Sequence, residues 1–393
     1  MLRGENLMSD ALHPDALIAE AQHQTGLKDF DSESFRDGLS LLVSEANRST
    51  RMTADGRELW RSMAVAALAS RLKVADYVRT HPGVAKEKIV RPVVVCGAPR
   101  TGTTLTANLL ATDPARRSLL TWIVDDPVPP PTLATLKTDP RCLARLEEER
   151  IQQEKDPAAG RFYRSSAVYP TECIFVMHHD FRGLAWESFF PSPAYSDFLL
   201  HGDMSSAYDY HRLFLQMLQS QAAGAWNLKM PSHSLHIKWL IAAYPDARVI
   251  WTHRDPFTAM GSLMSLIANS QSRFTGGDPD DAYIGRHYPH QIVAHVDRMV
   301  AFRKARPDVP IHDLHYAEMM RDPITQMRRL YAFLGDDFSA EVEAGMRDWL
   351  ADNPQGKWGK HAYTLDRFGQ SEASIAPLFE NYRAHIEVER EGL

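Results

Sequence analysis

The chain has 393 residues, with 44 basic against 50 acidic side chains for a net charge of −6, and it is 44% hydrophobic and 24% charged. These proportions belong to a globular protein and exclude a collagen, a coiled coil, a disordered tail and a disulfide mini-protein. The acidic balance excludes a general nucleic-acid binder, which carries a basic stripe, but leaves room for a local basic pocket around a small anion. The length allows two or three domains, or one large one.

The N-terminus lacks the apolar core of a signal peptide. No run of about 18 apolar residues marks a transmembrane helix. Three widely spaced cysteines, Cys96, Cys142 and Cys173, suggest neither a disulfide framework nor a CxxC metal site. A reducing cytoplasm is the expected setting.

Residues 14–88 read as helices. Leu17, Ile18, Ala21 and Leu27 recur at helical spacing, a second helix runs from about Ser34 to Asn47, and a third from about Thr53 to Arg79. The third has Leu59, Met63, Ala66, Leu68, Leu72 and Val74 as its apolar positions and stops at His81-Pro82-Gly83. Residues 89–96 then switch to a nearly continuous β-branched run, as in a parallel strand buried on both faces. Further strands are expected at Trp226–Met230 and Ala247–Thr252, and helices at Ser234–Tyr244 and Phe257–Ile267. Such alternation predicts an α/β fold: a P-loop-like parallel sheet of four or five strands with helices on both faces. Residues 1–88 would form a helical extension packed on a core domain of residues 89–393. A mostly helical, aromatic-rich insert at about 125–225 opens with a proline cluster, Pro127 and Pro129 to Pro131.

Between the first strand and its helix lies Gly97-Ala98-Pro99-Arg100-Thr101-Gly102-Thr103-Thr104. A glycine-containing turn that opens a helix suits an anion, because backbone N–H groups converge there. The spacing is that of a P-loop, G-x-x-x-x-G-x-T, but Thr103 stands where the Walker lysine belongs, which disfavours ATP or GTP hydrolysis. Arg100 supplies a cation from within the loop, and its planar fork suits a tetrahedral oxyanion.

Pro99-Arg100-Thr101-Gly102-Thr103-Thr104 resembles the 5′-phosphosulfate loop of sulfotransferases that use 3′-phosphoadenosine-5′-phosphosulfate (PAPS). The resemblance is closest to a bacterial branch with an N-terminal helical region and covers roughly residues 14–370. It implies that Arg254, after the strand Arg248–His253, and Ser262 grip the 3′-phosphate. It also implies that Tyr316 lies against the adenine, and that Lys357, Lys360 and His361 belong to a clamp over the nucleotide. Lys229, in Leu228-Lys229-Met230-Pro231-Ser232-His233, matches a family lysine that contacts the bridging oxygen or the sulfonate.

Sulfuryl transfer resembles phosphoryl transfer in needing positioning and cations on the equatorial and leaving oxygens. An acceptor hydroxyl also needs a general base. Many relatives place a glutamate after a tryptophan about two dozen residues beyond the loop, where this chain has Trp122-Ile123. The base is therefore open among Glu172, His233, Asp125, Asp126, His178 and His179. No histidine or cysteine spacing suggests a metal.

The aromatics of residues 160–220, from Phe162 and Tyr163 through Phe175, Trp186 and Phe189 to Phe214, read first as helix core. If instead they line an acceptor pocket, a small lipophilic alcohol or phenol (sterol, quinol or lipid) fits better than a polysaccharide, which needs a basic groove. Peripheral membrane contact and oligomeric state stay open. The competing expectations are a P-loop kinase-like phosphotransferase, which needs the missing lysine and magnesium, and a nucleotide-binding protein without catalysis.

Overall fold

The computed structural model describes residues 11–155, 166–354 and 364–391. Three helices come first: α1 (Pro14–Thr25), α2 (Phe35–Arg48) and α3 (Ala54–Thr80). α1 stops at Gly26, whose φ of 70° suits a residue without a side chain. α3 starts where the Thr53 side chain accepts the Gly56 N–H. Its buried stripe is Trp60, Ala64, Leu68, Leu72 and Ala75, one turn apart. The expected stripe is therefore shifted: Leu59 and Met63 are only half-buried and Ala66 is exposed, because the bulky Trp60 turns its own side of the helix inward.

The sheet has five parallel strands in the order β2-β3-β1-β4-β5. They are β1 (Val93–Gly97), β2 (Arg116–Ser118), β3 (Ala225–Lys229), β4 (Arg248–His253) and β5 (Ile311–His315). β1 begins four residues later than expected. Arg91 is in the left-handed region at φ 46° and Pro92 has no N–H for a ladder, so pairing starts at Val93. Alternation sorts the strands onto two faces. Val93, Val95, Ile250 and Leu314 join a smaller apolar cluster; Val94, Cys96, Leu228, Val249 and Trp251 join a much larger one.

α4 (Thr103–Leu110) follows the loop after β1. Between β2 and β3 lie α5 (Thr121–Asp125), α6 (Pro140–Lys155), α7 (Ile174–Met177), α8 (Pro193–His201) and α9 (Ser205–Gln219). α10 is Ile237–Ala243, shorter than expected, because Pro231–His236 form tighter turns such as Ser234 N–H to the Pro231 carbonyl, 3.1 Å. α11 (Pro256–Ser272) and α12 (Asp281–Ala305) precede β5. α13 (Tyr316–Arg321), α14 (Pro323–Leu334), α15 (Ala340–Asp352), α16 (Glu372–Ile375) and α17 (Glu380–His385) complete the chain.

The N-terminal helices share the larger cluster with the 125–225 segment and the sheet. Arg71 of α3, fully buried, ties them together. It pairs with Asp31 and Asp180 at 2.7 Å each, donates to the His179 carbonyl, and lies 4.5 Å from the Tyr210 ring centroid. No helix among the described residues is long and apolar enough to cross a membrane.

Candidate active site

The loop after β1 turns within a few residues. Gly97 (φ 148°) and Gly102 (φ 95°) have no room for a side chain: a Cβ on Gly97 would lie 2.6 Å from the Thr252 carbonyl oxygen, and one on Gly102 would lie 2.9 Å from the Tyr316 ring. Arg100 also has positive φ, 69°, which for an arginine stores backbone strain. Thr101 Oγ1 bonds the Ala98 carbonyl at 2.7 Å and Thr252 Oγ1 at 2.5 Å. The Thr101 hydroxyl therefore braces the loop from inside and leaves only its backbone to face a ligand. α4 starts at Thr103, and the first N–H groups of a helix have no partner within it.

The expected 3′-phosphate residues meet the loop. Arg100 Nε donates to Ser262 Oγ at 3.0 Å, and Arg254 Nη1 donates to the Arg100 carbonyl at 3.0 Å. The Arg254 guanidinium lies 4.0 Å from the Tyr316 ring centroid. Tyr316 is the first residue of α13, so its ring stands beside Gly102 at the strand ends. Arg254 also receives the carboxylate of Glu391 two-pronged, at 2.7 and 2.8 Å. Lys357, Lys360 and His361, expected to form a clamp, lie outside the described residues.

Lys229 ends β3 almost fully buried, and its Nζ donates to Glu172 Oε1 at 2.8 Å. The segment carrying Glu172 is laced to the sheet, with Thr171 N–H on the Leu119 carbonyl and Cys173 N–H on that of Lys229. α7 begins without a side-chain cap, so Glu172 is not spent on the helix start and its carboxylate reaches the lysine.

The other candidates for a base are placed elsewhere. His233 is completely enclosed, with Nδ1 2.8 Å from the Tyr208 hydroxyl, and burial holds it well below the usual imidazole range. It packs in the core rather than lining the cleft, because the turn at Pro231–His233 points its ring inward. Asp125 pairs with Arg145 and Asp126 with Lys73, away from the loop. His178 and His179 pack on Trp186 and Tyr210. Ile123 is core. Among the described residues no group of three or more His, Cys, Asp or Glu could hold a metal.

Two cavities meet at Arg254 and Tyr316. One, of about 450 Å³, runs between the ends of β4 and β5, at His253–Asp255 and His315–Glu318, and tail residues from Glu387 to Glu391. The other, of about 470 Å³, starts at Pro99, Arg100 and Thr103–Thr104 and extends past Glu172. Its far walls are largely apolar, including Ile174, Phe175, Phe189, Leu263 and Leu266. That volume suits a small molecule. Of the described aromatics in the 160–220 stretch only Phe175 and Phe189 line it; Trp186, Tyr195, Tyr208, Tyr210 and Phe214 are core.

Several polar groups on this cavity were not among the expected site residues, among them Glu187, Gln291, His295, Asn269 and Arg273. They come from separate turns and elements, with no motif to mark them. Glu391 was missed because nothing local connects an acidic tail with an arginine 137 positions earlier.

Parallel strands, a lysine-free phosphate-type loop and cations gathered over one apolar cavity define a group-transfer α/β enzyme. Residues 92–340 match the profile of the Sulfotransferase family, and the chain belongs to that family. Sulfotransferase STF9 from Mycobacterium avium is similar throughout, with 43% identity and a TM-score of 0.90 over 96% of this chain and 98% of that one. Sulfotransferase STF1 from Mycobacterium tuberculosis H37Rv is similar at 27% identity, with a TM-score of 0.84 over 95% and 99%. The omega-hydroxy-beta-dihydromenaquinone-9 sulfotransferase Stf3 of Mycobacterium bovis is 27% identical over 162 residues, and the match spans 39% of this chain and 40% of that protein.

Proposed function

We propose that this sulfotransferase moves the sulfuryl group of PAPS to a hydroxyl of a small lipophilic acceptor. The observation that carries the reading is the junction of the two cavities. Cations and the free N–H groups of α4 stand at one end, and an apolar chamber opens beside Glu172 at the other. The two-pronged seat of a carboxylate on Arg254 is the geometry by which guanidinium also takes a phosphate. A relative that by its name acts on a menaquinone-type alcohol supports an apolar acceptor.

On this reading Thr103, Thr104 and the Arg100 guanidinium hold the 5′-phosphosulfate, Arg254 and Ser262 the 3′-phosphate, and Tyr316 the adenine face. Bound PAPS supplies an electrophilic sulfur with a phosphate leaving group. Glu172 takes the proton of the acceptor hydroxyl as its oxygen bonds to sulfur. Lys229 holds that carboxylate in position, and stands near the oxygens that gain charge. His233 has no part in this chemistry, since its ring does not reach the cleft.

The test is thermal stabilisation by 3′-phosphoadenosine-5′-phosphate without metal, beside Mg·ATP, with Arg254→Ala as control. A ligand at about 100 times its Kd adds roughly 2.7 kcal/mol. A shift with the 3′-phosphate nucleotide, weakened in the variant, and sulfation of a lipophilic alcohol lost in Arg100→Ala are expected. A shift with Mg·ATP alone would overturn the reading in favour of a kinase-like enzyme.

A further inference from the structure

Glu187 lines the apolar cavity yet is 1% exposed. Its Oε1 accepts from Gln291 Nε2 and lies 3.9 Å from His287 Nε2. Its Oε2 is buried and has no hydrogen-bond partner among the described residues. A buried polar atom left unpaired is uncommon and costly, and the usual resolution is a partner absent from the protein itself. A carboxylate only accepts hydrogen bonds, so the missing partner is a donor.

The position of that donor follows from α12. His295 Nδ1 meets Ser234 Oγ at 2.7 Å, and Ser234 Oγ donates to the Gly97 carbonyl at the root of the loop. Gln291 lies one turn back along the helix, and Tyr288, whose hydroxyl reaches the Glu187 carbonyl at 3.5 Å, lies almost another turn back. Each turn is about 5.4 Å, so Glu187 sits one to two turns from the loop, along the acceptor chamber.

We propose that Glu187 is a specificity residue: it accepts a hydrogen bond from a second hydroxyl or amino group of the acceptor, remote from the hydroxyl that is sulfated. The natural acceptor is thus an apolar molecule with a polar donor at each end. The inference rests on the proposed sulfotransferase reading with a lipophilic acceptor. An acceptor without the second donor would leave Oε2 unpaired, which sites of this kind reject strongly.

The test uses the full chain with 1-alkanols and matching α,ω-alkanediols of six to twelve carbons. Binding is measured in the presence of 3′-phosphoadenosine-5′-phosphate, and turnover with PAPS. Wild type is expected to favour the diol at least tenfold in kcat/KM at one chain length, after the twofold statistical factor. Glu187→Gln should reduce that ratio, and the double change Glu187→Met with Gln291→Leu, which removes both polar partners together, should bring it near one. Nucleotide affinity should be unchanged in both. Equal use of diol and alkanol by wild type, a ratio that survives the double change, or an equal loss of turnover on both series in Glu187→Gln would overturn the role. In those cases nucleotide binding and PAPS turnover would still stand. No consumption of PAPS with any hydroxyl compound would overturn the sulfotransferase reading itself, and this inference with it.

Discussion

The two faces of the sheet are built differently. One is closed by α4, α14 and α15 through a small apolar cluster that includes Leu109, Met327, Leu330, Leu334 and Met346. The other, toward the acceptor chamber, buries Arg71, Asp180, Glu187 and a set of histidines within a far larger cluster. The first face mainly has to exclude water, and apolar side chains do that cheaply, with a polar knot of Tyr331, Asp113 and Arg116 at its edge. The second has to leave a cavity and aim polar groups at it, so it carries desolvated groups that must find partners. The stability of the molecule should therefore be vulnerable on one side and robust on the other.

The largest effect should come from pH. Burial pushes His178, His179, His211, His236 and His295 down to about 3, so the folded protein keeps them neutral. The unfolded chain protonates them near 6.5. Below that pH the unfolded state binds more protons, so their cost is absent above about pH 6.5 and grows as pH falls. Each histidine removes about 1.4 kcal/mol per pH unit, so five together remove on the order of 10 kcal/mol between pH 6.5 and 5. Urea melts across that range should show stability collapsing. A slope equivalent to a single histidine would break the contrast between the faces, and Leu330→Ala, on the apolar face, should lower stability by about 2–5 kcal/mol without altering the slope.

Next in size is the buried arginine. Arg71→Met should cost about 3–5 kcal/mol, because Asp180, with no exposure, loses its principal cation while Ser34 and Ser206 still bond it. Adding Asp180→Asn should recover part of that loss. If Arg71→Met melts like wild type, the N-terminal helices are held by apolar packing alone.

How much of this was legible depended on whether a residue acts with its sequence neighbours. The loop from Gly97 to Thr104 could be read because its glycines, its cation and the helix start are consecutive. α14 likewise carries its own start and stop, with the Asp322 side chain accepting the Thr325 N–H, Pro323 in the first turn and Gly335 at φ 72°. The acceptor side gave no such signal. Glu187 is defined by Gln291, 104 positions away. The inward ring of His233 depends on a tight turn that the pattern of a helix over 234–244 conceals. Trp60 displaced the expected stripe of α3 because periodicity alone does not rank a tryptophan against a leucine one position earlier.

At the site itself, Lys229→Met should lower turnover about 10²–10³-fold, the loss seen when one preorganised donor is removed from developing charge. The buried lysine also balances Glu172, so a fall in stability is expected as well. Lys229→Met combined with Glu172→Gln separates the two effects, since it should restore melting behaviour and leave turnover low. Recovery of activity along with stability would mean that the pair only supports the fold.

The smallest effect tests the junction of the cavities. Arg254, the expected 3′-phosphate ligand, is already engaged by Glu391, whose own N–H bonds Asp255 Oδ2 at 3.0 Å. A phosphate arriving there must displace the carboxylate or share the guanidinium with it. The pair is partly solvated, with 16% and 28% of the two side chains exposed, so the competition should be worth at most about 1 kcal/mol. Glu391→Gln should accordingly tighten 3′-phosphoadenosine-5′-phosphate binding up to about fivefold, with less gain for adenosine-5′-phosphate, which has no 3′-phosphate to place. A weaker Kd in Glu391→Gln would reverse the argument: the tail carboxylate would then be orienting Arg254 for the nucleotide rather than competing with it.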